Sequence, residues 1–248
     1  MTVAVAAGLV DLHCHLLPGV DDGAADLADS LAMAADAAAD GITTICATPH
    51  IRADHPVAID RLVPRVATLN AALGAAEIPV RAVVGGEVSA LTALALSHAD
   101  LRAVTLGGTG TWVLLEPAPG PMDDALDAVV TRLQAGGLRC LIAHPERHAG
   151  ADAAERLHGL VARGALVQVT AALLADSDAA PTMLGWAAAG LVHVLGSDAH
   201  SARVGRPARV SAGLTRLAEV PRVAPHLEWV GRDGPLGILA GDHVVPPF

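Results

Sequence analysis

The sequence predicts an α/β protein in which about seven β–α units curl into a closed or nearly closed barrel. Two observations carry this. Short β-branched runs alternate with Ala-rich stretches of helical period along the 248 residues. Polar residues of ligand type then recur where at least six predicted strands end, which is where (β/α) barrels collect functional groups. An open doubly wound sheet would gather such residues only at its switch point.

The elements follow in order. "GLVDLH" (8–13) reads as a strand. Asp26 to Asp40 reads as a helix with Leu27, Leu31 and Ala34 on one face and Gly41 as its stop. "ITTICATP" (42–49) is a strand ended by Pro49. Val57 to Leu73 is helical but interrupted near Pro64. "VRAVVGGEV" (80–88) and "TWVLLEP" (111–117) are strands. Met122 to Ala135 is a helix, "RCLIAHPER" (139–147) a strand with its loop, and Asp152 to Arg163 a helix. "ALVQVT" (165–170) is a strand, Thr182 to Ala189 a helix, "LVHVLGSDAH" (191–200) a strand with its loop, and Val210 to Ala218 a helix. With no long linker and no low-complexity segment, residues 1–248 read as one domain.

Composition narrows the function. The apolar fraction of 52% supports a large core. The net charge of -10 argues against a partner that presents a phosphate backbone, so nucleic acid is set aside. There is no Tyr and one Phe, which leaves few rings for stacking. Cys14, Cys46 and Cys140 are odd in number, widely spaced and set in apolar runs. They read as buried small hydrophobes rather than a disulfide framework. "MTVAVAAGLV" has no basic region and no apolar run reaches the ~18 residues of a membrane span, so a cytoplasmic protein is expected.

The chemistry lies in a set of short motifs. His13 and His15 are two apart on a strand, so both face one side while Cys14 faces the other. "GVDDG" (19–23) offers Asp21 and Asp22, with Asp21 expected near the following helix start and Asp22 at a metal. "ATPH" brings His50, "GGEV" Glu87 and "LLEP" Glu116 to strand ends. A carboxylate that ends an apolar strand needs a cation or a donor beside it. "AHPERH" adds His144 and Arg147, and "GSDAH" adds Asp198 and His200. Imidazole and carboxylate without thiolate suit manganese, iron or zinc. Four carboxylates against three divalent ions would leave a charge of about +2, which suits a phosphate dianion.

In this order, "DLHCH", "VDDG", "ATPH", "GGEV", "LLEP", "AHPER" and "SDAH" resemble the polymerase-and-histidinol-phosphatase (PHP) superfamily. "HCHLLPGVDDG", "DGITTICATPH", "AHPERH" and "SDAHSARVGRP" resemble in particular its bacterial branch of metal-dependent, capsule-regulating protein-tyrosine phosphatases. The resemblance implies a distorted (β/α)7 TIM-like barrel of PHP type. It implies two to three divalent ions, manganese first, with iron, zinc or magnesium as alternatives. His13, His15 and Asp198 would hold one ion; Glu87 would bridge it to a second that Glu116 and His144 complete; Asp22, His50 and His200 would hold a third. Arg147 and Arg206 would bind the phosphoryl group, and water activated by the metals would attack phosphorus. The implied substrate is a phosphotyrosine protein, the tail of a cognate bacterial tyrosine kinase included. A small-molecule phosphatase such as histidinol phosphatase, and a metal-binding regulator with little turnover, are the rival readings. Asp54, His55 and His148 are expected at the rim without an assigned role.

Overall fold

Every strand pair is parallel, and the chain returns over the sheet between neighbouring strand paths. That is the arrangement the β–α alternation demands. The computed structural model describes residues 8–248. Its elements are β1 (Leu9–Cys14), α1 (Leu27–Ala39), β2 (Ile42–Ala47), β3 (His50–Ile51), α2 (Leu62–Ala75), β4 (Arg81–Val84), β5 (Glu87–Ser89), α3 (Ala90–Ala93) and α4 (His98–Ala103). They continue with β6 (Trp112–Glu116), α5 (Asp124–Ala135), β7 (Arg139–Ala143), α6 (Ala153–Ala162), β8 (Leu166–Thr170), α7 (Ala171–Ala175), α8 (Ala180–Ala188), β9 (Val194–Gly196), α9 (Ser211–Leu217) and α10 (Gly234–Ala240).

The strands form two sheets, ordered β1-β2-β4 and β3-β5-β6-β7-β8-β9. Chain connectivity merges them. β2 passes into β3 across Thr48–Pro49, and β4 into β5 across Gly85–Gly86, with Glu87 N–H donating to Pro49 O (3.0 Å) between the two breaks. Counted as paths, the strands are seven in chain order. The ends of the order meet: Asp198 N–H donates to His13 O (2.8 Å), His15 N–H to Ala199 O (2.9 Å), and Cys14 bridges Ala199 in parallel.

The two faces of the strands fill separately. Val10, Leu12, Cys46, Trp112, Leu114, Leu141, Leu166 and Val194 form one buried cluster with Ile238. Alternate residues such as Val113, Leu115, Ile142, Val167 and Val169 join a larger cluster with the helix residues Met33, Leu69, Leu126, Leu157 and Met183. Period-two alternation thus sorts the strands into a face beneath the helices and a face turned away from them.

Several expectations are corrected. The strand expected over 42–49 ends at Ala47, just before Thr48–Pro49, and the chain then pairs again at His50–Ile51, now in the second sheet against β5. The helix expected over 57–73 begins at Leu62 after a short 3-10 turn and runs to Ala75 without interruption. Pro64 falls in its first turn, where no intrahelical donor is lost. In α1 the buried stripe is Ser30, Met33, Ala34 and Ala37; Leu27, at the first position, is 44% exposed and Leu31 only partly covered. The last strand begins only at Val194, three residues later than the run suggested, and gives way to the expected loop after Gly196. No helix among the described residues is long and apolar enough to cross a membrane.

Candidate metal centre

β1 carries the first two histidines into the fold. His13 and His15 are fully buried, and their Nε2 atoms approach to 3.3 Å. The far side of each ring is fixed by an acceptor. His15 Nδ1–H donates to Asp21 Oδ2 (2.7 Å), and His13 Nδ1–H donates to Gln168 Oε1 (2.9 Å). With Nδ1 of each ring engaged by an acceptor, both Nε2 atoms converge on one volume.

Backbone geometry brings the neighbours in. Asp198 (φ 50°) and His144 (φ 30°) are left-handed, and with Glu77 they are the non-glycine residues of positive φ among those described. Such conformations cost ~1–3 kcal/mol each and gather at functional sites. His144 follows β7 directly and precedes Pro145, a position that ordinarily favours extended backbone. Small residues give the room. A Cβ at Gly196 would lie 2.8 Å from His13 Cβ, and one at Gly23 would lie 2.4 Å from His15 O.

Glu87, fully buried, is the hub. Its Oε1 lies 2.7 Å from His144 Nε2 and 3.3 Å from His13 Nε2; its Oε2 lies 2.8 Å from His50 Nδ1 and 3.4 Å from His15 Nε2. Burial alone would raise this carboxyl, but His13, His144 and His15 together hold it well below the usual range. His15 is raised to about 9 despite its burial, through Asp21 and Glu87. His200 is pushed down to about 3 by burial and then by His15. Glu116 is raised by burial and by the charge of Glu87.

All nine residues expected as ligands lie at this centre. Their donor atoms fall into four overlapping groups, each within 4.8 Å: His15, Asp22, His50 and His200; His13, His144 and Asp198; His13, His15 and Glu87; His50, Glu87 and Glu116. Asp22 is the outer member, its side chain 55% exposed and its Oδ1 3.4 Å from His50 Nε2 and 3.6 Å from His200 Nε2. The set fits divalent metal on two counts. The donors are imidazoles and carboxylates alone. Glu87 Oε2, His50 Nδ1 and His144 Nδ1 are buried there without a hydrogen bond of good geometry.

The two arginines reach the same place. Arg206 Nη2 is 3.0 Å from Asp198 Oδ2, and the Arg147 guanidinium also contacts that oxygen. Burial lowers both from their ordinary values, and for Arg147 the neighbouring Arg206 adds to it.

The sequence reading placed Asp21 at the helix start, and the structure corrects this. Asp26 caps α1 by accepting from Asp29 N–H (2.8 Å). Asp21 instead holds three donors of the centre: the His15 ring, His50 N–H (2.8 Å) and Gly23 N–H (3.0 Å). Gln168 and Asp11 were missed. Asp11, fully buried, accepts from the N–H groups of His13 (3.1 Å) and Ser197 (3.0 Å) and from the Ser197 hydroxyl (2.5 Å), tying β1 to the loop before Asp198. Each was a lone polar residue inside an apolar strand run, which is itself a demand for a buried partner. Arg52, also missed, lies 3.8 Å from Glu116 Oε2. His148 proves structural: its ring donates to Gly120 O (3.1 Å) and its carbonyl accepts from Met122 N–H (3.0 Å). His55 lies 5.2 Å from the His50 ring in a turn closed onto Arg52. Cys14 is buried, with its thiol raised by burial, and packs in the larger cluster as strand alternation requires.

Parallel strands, repeated β–α units and a buried histidine–carboxylate cage define this molecule as an α/β protein with a candidate multinuclear metal centre. Within that class the chain belongs to the CpsB/CapC family of capsular polysaccharide synthesis, which it matches over residues 9–218. It is 32% identical to tyrosine-protein phosphatase YwqE of Bacillus subtilis (strain 168) over 203 residues, 79% of this chain and 78% of that protein. It is 27% identical to the putative tyrosine-protein phosphatase CapC of Staphylococcus aureus over 198 residues, 78% and 77% of the two chains. Among solved structures it superposes on one from the work on YwqE of B. subtilis and CpsB of Streptococcus pneumoniae, described as unique metal-dependent tyrosine phosphatases. The TM-score is 0.83 at 28% identity, covering 96% of this chain and 97% of the other.

Proposed function

We propose that this chain is a metal-dependent phosphomonoesterase acting on phosphotyrosine proteins, the phosphorylated tail of a bacterial tyrosine kinase among them. The single observation that carries it is the contact of Arg147 and Arg206 with Asp198 at the edge of the histidine–carboxylate cage. Guanidinium groups match phosphate oxygens bidentately, so a phosphoryl group seated there would meet cations on both sides.

His13, His15, Asp22, His50, Glu87, Glu116, His144, Asp198 and His200 would hold two to three divalent ions, manganese first. Bound divalent ions supply Lewis acidity toward a phosphoryl oxygen and make water a stronger acid. The chain's own residues do the rest. Asp21 and Gln168 orient His15 and His13. Arg147 and Arg206 bind and orient the phosphoryl group and offset charge on its oxygens in the transition state. No cysteine takes part: the three thiols are buried and raised, Cys46 and Cys140 to about 12 by burial. A phenolate leaves more readily than an alkoxide, and no residue is assigned as the acid that protonates it. We take residues 1–248 as one domain, and unpaired cysteines support a cytoplasmic setting.

A panel of substrates tests this reading. Hydrolysis of a phosphotyrosine peptide, histidinol phosphate and a short oligonucleotide is measured with added Mn²⁺. Preference for the peptide is expected. Preference for histidinol phosphate would move the function to small-molecule phosphatases, and turnover of none with metal bound would make the chain a regulator.

A further inference from the structure

The centre leaves one part of a phosphate ester unaccounted for. The cage and the two arginines address the phosphoryl group, but the organic group must sit within a bond length of it. A cavity of about 260 Å³ opens beside Glu116 and is also lined by Arg52, Ser89, Leu91, Thr92 and Pro119. Glu116 belongs to the donor group with His50 and Glu87, so the cavity adjoins the cage. Its size lies below the ~300–1,000 Å³ of ordinary drug-sized pockets, which suits one ring rather than a nucleotide.

Its walls are held in place. Arg52 is clamped by Asp54 through two hydrogen bonds (2.8 and 2.6 Å). The loop bearing Pro119 is tied down by His148, through its ring to Gly120 O and its carbonyl to Met122 N–H. Leu91 is 64% exposed, an apolar side chain projecting from the first turn after β5 with little covering it. A second, smaller and more enclosed cavity of about 60 Å³ adjoins it, sharing Leu91 and Pro119 and adding Leu94, Pro117 and Pro121.

We infer that this cavity is the subsite for an aryl leaving group, with Leu91 and Pro119 as the aliphatic surfaces that sandwich the ring. This rests on the phosphatase reading and deepens it. It also shows how a chain with no Tyr and a single Phe, Phe248, provides for an aromatic substrate. Aliphatic contact with a ring gains from area removed from water, without stacking.

The test is direct binding to the Mn²⁺-loaded protein by titration calorimetry, with inorganic phosphate, methylphosphonate and benzylphosphonate as probes. p-Nitrophenyl phosphate hydrolysis is followed in parallel. Wild type is expected to bind benzylphosphonate about tenfold more tightly than methylphosphonate. Leu91→Ala and Leu91→Asp should cut that ratio at least threefold while inorganic phosphate binds unchanged; Val63→Ala, an exposed residue elsewhere, should leave the ratio intact. An undiminished ratio in both Leu91 variants, with phosphate still bound and p-nitrophenyl phosphate still hydrolysed, overturns the subsite alone. Loss of phosphate binding and hydrolysis in metal-loaded wild type overturns the phosphatase reading and the subsite with it.

Discussion

At the scale of single residues the centre separates into groups that face the donor volume and groups that hold them there. Asp21 and Gln168 belong to the second kind, since each engages the Nδ1 side of a histidine whose Nε2 points inward. Removal of such a partner typically costs 10–100-fold in metal affinity. Asp21→Asn and Gln168→Leu should therefore each weaken Mn²⁺ binding by about that factor in calorimetric titration, with the fold retained by circular dichroism. Unchanged affinity would reduce both to packing. The arginines should behave in the opposite way. Arg147→Ala and Arg206→Ala are expected to keep their metal, measured by elemental analysis, and to lose most turnover, on the order of 10²-fold or more. Metal loss in either variant would contradict the assigned role.

Residue types at strand ends were legible because a buried charge needs a partner, and nine such residues in one chain shared one answer. Asp21 and Gln168 were less so. A carboxylate in a turn has several possible uses, and which donors it meets depends on how the chain folds back over His15.

At the scale of elements, the strand and helix order was readable from hydrophobic period. Whole elements were missed where periodicity is shortest. α3, α4, α7 and α10 span between 4 and 7 residues and show no full amphipathic repeat. The double breaks at Pro49 and Gly85–Gly86 depend on two strands bending at the same level, which neither segment encodes alone. Where β9 meets β8 a histidine takes part in the ladder: His193 N–H donates to Val167 O (3.0 Å), and its Nδ1 accepts from Val167 N–H (2.9 Å). That acceptor exists only in the neutral ring, and burial pushes His193 down to about 4. An exposed histidine titrates near 6.5. Between these values the unfolded chain binds a proton that the native chain does not. The contribution of His193 is thus complete above pH ~6.5 and is lost as pH falls toward ~4, amounting to about 3 kcal/mol at most. Urea denaturation in chelator at pH 7.5 and 5 should show a smaller pH-dependent loss in His193→Asn than in wild type; equal losses would exclude His193 as the titrating group.

At the scale of the whole molecule, strands distant in sequence converge to place His13, Glu87, His144 and Asp198 around one buried volume. The overlap of the four donor groups through His13, His15, His50 and Glu87 makes this a single connected centre. Its membership was legible in the motifs, whereas its connectivity is a property of the folded chain. A cage this rich in buried donors ties activity to metal content. The most direct test starts from protein stripped with a chelator, then titrates Mn²⁺ back while bound metal and phosphotyrosine-peptide hydrolysis are measured on the same samples. The account predicts no hydrolysis in the stripped protein and activity rising in step with two to three equivalents of bound metal. Hydrolysis that persists in stripped protein, or that stays absent with the centre fully loaded, would contradict it.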